Sequence, residues 1–344
     1  MNAITDVAGV TVGQVTLIDD LADGRKVRTG VTAILPRGRE SLVASVYGGW
    51  FALNGNGELT GTTYLDELGQ IDGPVMLTNT HSVGVVHDAV IAWRVRAGPA
   101  DSSGYWWSSP VVGETWDGDL NDINGFHVRP EHVDRALDTA RDGPVAEGNV
   151  GGGTGMVCHE FKCGIGTASR VVGIGDASYT VGVLVQANYG VRGTLRIAGV
   201  PIGEHLPTKT EPRRSETGSI IVVVATDAPL LPHQLKRVAR RASLGLGRMG
   251  SYAGNGSGDI FIAFSTANAA ALSGAALAQS TSLGNGELDP LFLATVEATE
   301  EAIVNSLVAA RDMHGNGGSF VPALPHPELV RLLERYGRLA PRPR

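Results

Sequence analysis

Tyr252-Ala-Gly-Asn-Gly-Ser257-Gly-Asp-Ile-Phe-Ile-Ala-Phe264 is the stretch on which the reading of this 344-residue chain turns. A turn of small residues ends at Gly256-Ser257 and runs straight into an apolar segment, Ile260 to Phe264, with the composition of a buried strand. Hydrolysis of the Gly256–Ser257 bond would leave a hydroxyl and a free α-amine on one residue, at the end of a rigid strand. The hydroxyl attacks, and an amine with a reference pKa near ~8 accepts its proton near neutral pH. Glycine at 256 lets the preceding peptide take the strained geometry in which the hydroxyl meets its own carbonyl. By itself the segment also suits an ordinary loop. As a dinucleotide fingerprint it is poor, because Gly254, Gly256 and Gly258 follow a helical stretch and precede a strand, the reverse of what that motif needs. A Ser-His-Asp triad is disfavoured as well: the nucleophile elbow needs glycine two places before the serine, where Asn255 stands.

Working outward, strand-like runs rich in Val and Ile recur at Thr32 to Leu35, Val75 to Leu77, Val181 to Val185 and Ile220 to Val224. Several are continuously apolar, as in sheets covered on both faces. Helical spacing alternates with them. Val133, Ala136, Leu137 and Ala140 follow Pro130, and Gly143-Pro144 stops that helix; Leu235, Val238, Ala239 and Ala242 repeat the pattern. A third helix is expected from about Asp289 to Met313, with Asp289 as its cap and Pro290 at the first helical position. Pro207 to Thr217 reads as an exposed loop and Pro341 to Arg344 as a frayed tail. With no internal repeat and no long linker, the pattern implies one large mixed α/β domain over 1–344.

Composition narrows the function classes. Lys plus Arg is 28 against 35 Asp plus Glu, a formal net charge of −7, so nothing pulls the chain globally toward nucleic acid or anionic membranes. The basic run Lys236 to Arg241 reads as the solvated face of a helix. Cys158 and Cys163 are the only cysteines, too few for a disulfide framework. Neither a signal peptide nor a run of ~20 apolar residues is visible, so a soluble, reduced, cytoplasmic protein is expected. The chain has 47 glycines, and clusters of them at 151–153, 254–258 and 315–318 mark a site built from loops. Gly151-Gly-Gly-Thr-Gly155 lacks the lysine of a phosphate-binding loop. Cys158-His159-Glu160 with Cys163 lacks the second cysteine pair of a structural zinc site and reads as core. Trp106-Trp107 suits a pocket wall or a core equally.

Blocks along nearly the whole chain resemble the family of L-aminopeptidase/D-Ala-esterase-amidases and β-peptidyl aminopeptidases. They are Ile4 to Val12, Asn79-Thr-His-Ser-Val-Gly-Val-Val-His-Asp88, Leu120-Asn-Asp-Ile-Asn-Gly-Phe-His127, Glu147 to Met156, Phe161 to Arg170, Gln186-Ala-Asn-Tyr-Gly190 and Ala294 to Ile303. The resemblance implies an αββα sandwich of the N-terminal-nucleophile-hydrolase type. It implies self-cleavage before Ser257 into chains 1–256 and 257–344, which stay together as a homo-oligomer, usually a tetramer of heterodimers. Substrates are short peptides, amides or esters with a free N-terminal amine, and no metal or organic cofactor is expected. A homologue on the same scaffold that stays uncut and acts as a binding or structural assembly is the alternative.

Carried across residue by residue, Ser257 takes the nucleophile position and Gly256–Ser257 the autocleavage bond. Thr295 and Glu297 match a hydroxyl and a glutamate that lie downstream of the nucleophile, with Thr295 standing for the family's usual serine. Positions i and i+2 of a regular helix point about 200° apart, so this pair requires a helix that is irregular or just beginning there, which conflicts with a cap at Asp289. Asn188, after an apolar strand, is the expected oxyanion donor. His159 stands where the family has a tyrosine donor. A charged amine calls for a carboxylate, and Glu147 is the first choice, Glu160 the second.

Overall fold

The computed structural model describes residues 1–98, 107–206, 217–272 and 276–339. Strands β1 (Thr11–Asp20), β2 (Lys26–Arg39), β3 (Val46–Ala52), β4 (Gln70–Ile71), β5 (Val75–Asn79) and β6 (Val111–Thr115) come first, with helices α1 (Thr62–Leu68), α2 (Val83–Ala97) and α3 (Pro130–Asp138) among and after them. A hairpin of β7 (Val157–Cys158) and β8 (Phe161–Lys162) leads into β9 (Ile165–Ile174) and β10 (Ala177–Asn188). Then follow α4 (Ile202–His205), β11 (Thr217–Thr226), α5 (Pro232–Arg248), β12 (Gly256–Ser265), α6 (Asp289–Val308), β13 (Met313–His314), β14 (Phe320–Val321) and α7 (His326–Arg335).

Two sheets stack face to face. One runs β1-β2-β5-β6, and the other β4-β3-β12-β11-β10-β9, with β12 parallel to β11 and antiparallel to β3. The period-two alternation of strands assigns each side chain to a layer. Ile34, Val75 and Leu77 of the first sheet meet Leu184, Ile221, Val223, Ile260 and Phe264 of the second in the central core. On the outer side, Ala33, Leu35 and Met76 pack on Val86 and Val90 of α2 and Val133 and Leu137 of α3. On the opposite side, Val183, Val222, Phe261 and Ala263 pack on Leu235 and Val238 of α5 and Ala298 and Ile303 of α6. The layers are therefore αββα, and β11 and β12 are continuously apolar over Ile220 to Ala225 and Ile260 to Phe264 because both faces are covered there. Each fully buried side chain of this size contributes about 1.5–3 kcal/mol.

Three local expectations need correction. Asp289 is the first residue of α6 and not its cap, which is Leu288. That helix ends at Val308, and Met313-His314 instead pairs with β14. The reason is a long-range clamp: Asn149 donates to Arg311 O at 2.8 Å and accepts from Arg311 N at 3.0 Å, which satisfies that backbone outside a helix. Cys158 and Cys163, expected as unpaired core cysteines in a reduced chain, form a disulfide. The tight turn at His159-Glu160, with φ of 48° and 62°, folds β8 back on β7 and brings the two Cα atoms to 5.6 Å.

The basic run lies on α5 and is not simply solvated: Arg240 sits over the Phe51 ring, and Arg241 over Phe292. Trp107 packs against Tyr64 with the rings tilted by 48°; Trp106, positions 207–216 of the expected loop and the tail lie outside the described residues. Among the described residues no helix is long and apolar enough to cross a membrane.

Candidate active site

Ser257 is the second residue of β12 and is fully buried. Its amide nitrogen donates to Gly254 O at 2.9 Å, closing the turn that precedes the strand. Its hydroxyl donates to Asp259 Oδ1 at 2.8 Å. Residues two apart on a strand share a face, so Ser257 and Asp259 stand in line with Phe261 and Ala263, on the side turned toward α5 and α6.

A loop from the distant end of β3 lies across the same bond. Asn56 Nδ2 donates to Gly256 O at 2.8 Å, and Asn56 N donates to Ser257 O at 3.2 Å. Asn54 donates through Nδ2 to Asp259 Oδ2 at 2.9 Å and accepts from Asp259 N at 2.5 Å. The loop comes this close because Gly258 has no side chain: a Cβ there would sit 2.6 Å from Asn56 O. The Gly256 carbonyl thus carries an amide donor on its oxygen and the Ser257 hydroxyl next in the chain.

Beside that carbonyl opens a cavity of about 490 Å³ where the ends of β5, β6, β10 and β11 converge, with Gly256, Asn56, Glu114, Trp116, Asn188 and Ser219 on its walls. Glu114 is its buried carboxylate. One oxygen accepts from Glu58 N at 3.0 Å and the other from the Thr80 hydroxyl. Burial raises its pKa above the usual glutamate value, against the lowering pull of those two donors. Trp116 stands at the rim, edge-on to His81 at 5.8 Å. An anion facing a cavity beside a polarised carbonyl suits a substrate with a positive amine next to the bond it loses.

Of the residues expected from sequence, Gly256 and Asn188 line this cavity, and Ser257 follows Gly256 in the chain without being on its walls. Asn188 is held more tightly than expected, its amide donating to Trp116 O at 2.7 Å and its oxygen accepting from Val157 N at 2.8 Å. It stands two strands from Gly258 in register, about 10 Å at the usual ~4.8 Å strand spacing.

The other four do not reach Ser257. Thr295 is buried in α6 with its hydroxyl on Leu291 O at 2.7 Å. Glu297, half-exposed on the same helix, pairs with Arg170 at 3.5 Å. Arg170 is in register with Val181, Thr226 and Ser265, eight residues along β12 from Ser257 (265 − 257), on the order of 26 Å away at ~3.3 Å per residue. The helix stays regular there, so the irregularity this pair required is absent. Glu147 accepts from Thr167 N at 2.8 Å and lines a different cavity, with Arg28 and Arg311. His159 is fully buried behind Tyr189, with Nδ1 at 3.0 Å from Val191 O, and burial lowers its pKa to about 4. Glu160, the second choice for the amine, accepts from Arg192 N at 3.3 Å.

Sequence reading passed over Glu114, Asp259, Asn54 and Asn56. A signal existed for two of them: Glu114 interrupts the apolar start of β6, and Asp259 follows Ser257 at strand spacing. Behind Trp116, Asp117 accepts from Asn79 and Asn121, and burial pushes its pKa up to about 6. Nearby Lys162, donating to Met156 O at 2.6 Å, is lowered by burial to about 7.

Comparison with known proteins gives the family of the chain. The sequence profile described as peptidase family S58 matches residues 2–321. The chain is 56% identical to the beta-peptidyl aminopeptidase BapA of Sphingosinicella microcystinivorans, over 98% of this chain and 89% of that protein. It is 47% identical to the BapA of Sphingosinicella xenopeptidilytica, over 97% and 87%. Among solved structures, the L-aminopeptidase D-Ala-esterase/amidase of Ochrobactrum anthropi, a serine aminopeptidase with a variant of the Ntn hydrolase fold, superposes with a TM-score of 0.92. It is 49% identical and covers 98% of this chain and 95% of its own.

Proposed function

Because the chain belongs to peptidase family S58 and is an aminopeptidase of the Ntn-hydrolase fold, we propose that it cuts itself between Gly256 and Ser257 and then uses Ser257 to release N-terminal β-amino residues from short peptides and amides. The observation that carries this reading is the Gly256 carbonyl, which bears the Asn56 amide on its oxygen at 2.8 Å and opens on the cavity that holds Glu114. A substrate carbonyl that takes the place of Gly256 after cleavage would find the same donor. Asn56 is therefore the oxyanion donor in this reading, with Asn188 shaping the cavity wall.

Turnover then follows from the residues at hand. Glu114 anchors the substrate ammonium, the Ser257 hydroxyl attacks the scissile carbonyl, and the new α-amine of Ser257 takes the proton. The leaving amine departs and water hydrolyses the acyl-enzyme. Ser257 is enclosed in the uncut chain, so the precursor is inactive and cleavage opens the nucleophile. The β-amino preference is drawn from the relatives named beta-peptidyl aminopeptidases. Self-processed pairs assembling into a homo-oligomer follow from the family resemblance.

Intact-mass spectrometry under denaturing conditions tests the reading. Fragments 1–256 and 257–344, with faster release from a β-homoalanyl amide than from the alanyl amide, are the expected result. A single uncut chain after long incubation, with neither amide hydrolysed, would return the reading to an uncut binding assembly.

A further inference from the structure

A second cavity, of about 530 Å³, shares no residue with the walls of the catalytic one. Small-ligand sites commonly measure ~300–1,000 Å³. It opens between the end of the β1–β2 hairpin, the segment that leads into the glycine block, and the stretch after α6. The last two run side by side because Gly148, at a φ of 82°, has no side chain: a Cβ there would lie 2.8 Å from Ala309 O. Asn149 then clamps the Arg311 backbone through both its N and its O. Glu147 stands on one side of this seam and Arg311 on the other, and both line the cavity.

The charges here are unevenly satisfied. Asp20 is taken by Arg28 at 2.5 Å and by Lys26 at 2.6 Å, and Asp312 accepts from Ala323 N at 2.7 Å. Arg28 is itself buried and donates further to the backbone oxygens of Asp19, Val27 and His314. A pair is left over. The Arg311 guanidinium has no hydrogen bond or ion pair among the described residues, although its backbone is fixed. Glu147 accepts from Thr167 N at 2.8 Å through one oxygen, and no hydrogen bond reaches the other among the described residues. Burial raises the Glu147 pKa, and the like charge of Glu301 adds to the rise. An incoming ammonium would offset both.

We propose that this cavity is a second binding site, for a small zwitterion that sets its ammonium on Glu147 and its carboxylate on Arg311. A simple anion would meet Glu147, and a simple cation would meet Arg311 and Arg28; a molecule with both charges suits both sides. The planar fork of Arg311 matches the two oxygens of a carboxylate. Ile18, 56% exposed, offers apolar surface for the rest of the ligand, with Val150 and Met313 beside it. Each turnover of an aminopeptidase yields two molecules of this class, the released amino acid and the shortened peptide. The site stands apart from the Gly256–Ser257 bond, so it does not depend on self-cleavage.

Titration calorimetry on the full chain carrying Ser257→Ala and Glu114→Gln isolates the second cavity, because those changes stop turnover and remove the catalytic anchor for amines. Alanine, β-alanine and dialanine are the probes. One of them should bind at one molecule per chain, with acetylalanine and alaninamide at least about tenfold weaker, since each lacks one of the two charges. Dialanine ahead of both amino acids assigns the site to the shortened peptide, and the reverse order to the released residue. Adding Arg311→Gln or Glu147→Gln should weaken the preferred zwitterion by about 10- to 100-fold. Neither change threatens the fold: Arg311 is exposed, and a glutamine amide oxygen still accepts from Thr167 N. In the otherwise wild-type chain, Arg311→Gln should keep kcat/KM within about twofold. No saturation by any of the three zwitterions up to about 10 mM, or an isotherm unmoved by Arg311→Gln, overturns the proposal. Acetylalanine binding as tightly as alanine overturns the zwitterion assignment, and a loss of activity by orders of magnitude in Arg311→Gln overturns the separation from catalysis.

Discussion

Ser257 with Asp259, and Thr295 with Glu297, are each a hydroxyl residue followed two places later by a carboxylate, in chemically similar pairs. On β12 the hydroxyl meets the carboxylate at 2.8 Å. On α6 the hydroxyl turns back to Leu291 O while the glutamate reaches outward to Arg170. A strand returns to the same face every second residue, whereas a helix carries positions i and i+2 about 200° apart. Identical spacing therefore builds a hydrogen-bonded pair in one element and separates the same groups in the other. The sheet decides the rest, because β12 ends at the cavity while Glu297 pairs at the register of Ser265.

The contrast can be broken most sharply at the strand end. Ser257→Ala should give one intact chain by intact mass and abolish amide hydrolysis; any cleavage at that bond in the variant would falsify the nucleophile assignment. Glu114→Gln should lower kcat/KM for an aminoacyl amide by about 10- to 100-fold, the range for losing a charged hydrogen bond of about 1.5–3 kcal/mol, while leaving self-cleavage intact. An equal loss for an acyl amide lacking the amine would mean that Glu114 does not read the ammonium.

A milder effect should follow from pH. Glu114 must be ionised to hold the amine, and burial has raised its pKa. KM should therefore climb as pH falls through that raised value, by up to about tenfold per unit below it, beginning at a higher pH than an ordinary glutamate would give. Steady-state profiles of wild type and Glu114→Gln should differ in that acid limb; coincident profiles would assign the titration elsewhere.

The smallest change is expected on the helix. Glu297→Gln breaks a partly exposed ion pair with Arg170, and such pairs are worth about 0–1 kcal/mol. Activity should stay within about twofold and the melting temperature nearly unmoved. A loss of several orders of magnitude in Glu297→Gln would join the two regions functionally and undo the comparison.

The strand that carries Ser257 was legible in the sequence because everything that marks it is local: a glycine turn and an apolar run within thirteen residues. Asn188 could be placed at the cavity for the same reason, as the end of a strand. Glu114 was not, although it interrupts an apolar run, because its meaning comes from Thr80 and the loop at Glu58, each supplied by a different part of the chain. Asn54 and Asn56 were hidden further still, since they act 205 and 200 residues away on Asp259 and Gly256. Glu147 and His159 misled because a polar residue beside a glycine block looks the same whether it faces a cavity or a neighbouring backbone.

By itself the sequence determined one mixed α/β domain and the strand that carries Ser257, since periodicity and turn chemistry are properties of neighbouring residues, while the αββα layering was implied by the family resemblance. Only the tertiary structure decided which carboxylate meets the hydroxyl, which amide polarises the carbonyl and which glutamate faces the cavity. Those choices depend on the stacking of two sheets and on a loop folded back across β12, and contacts between segments some 200 residues apart leave no periodic trace in the chain.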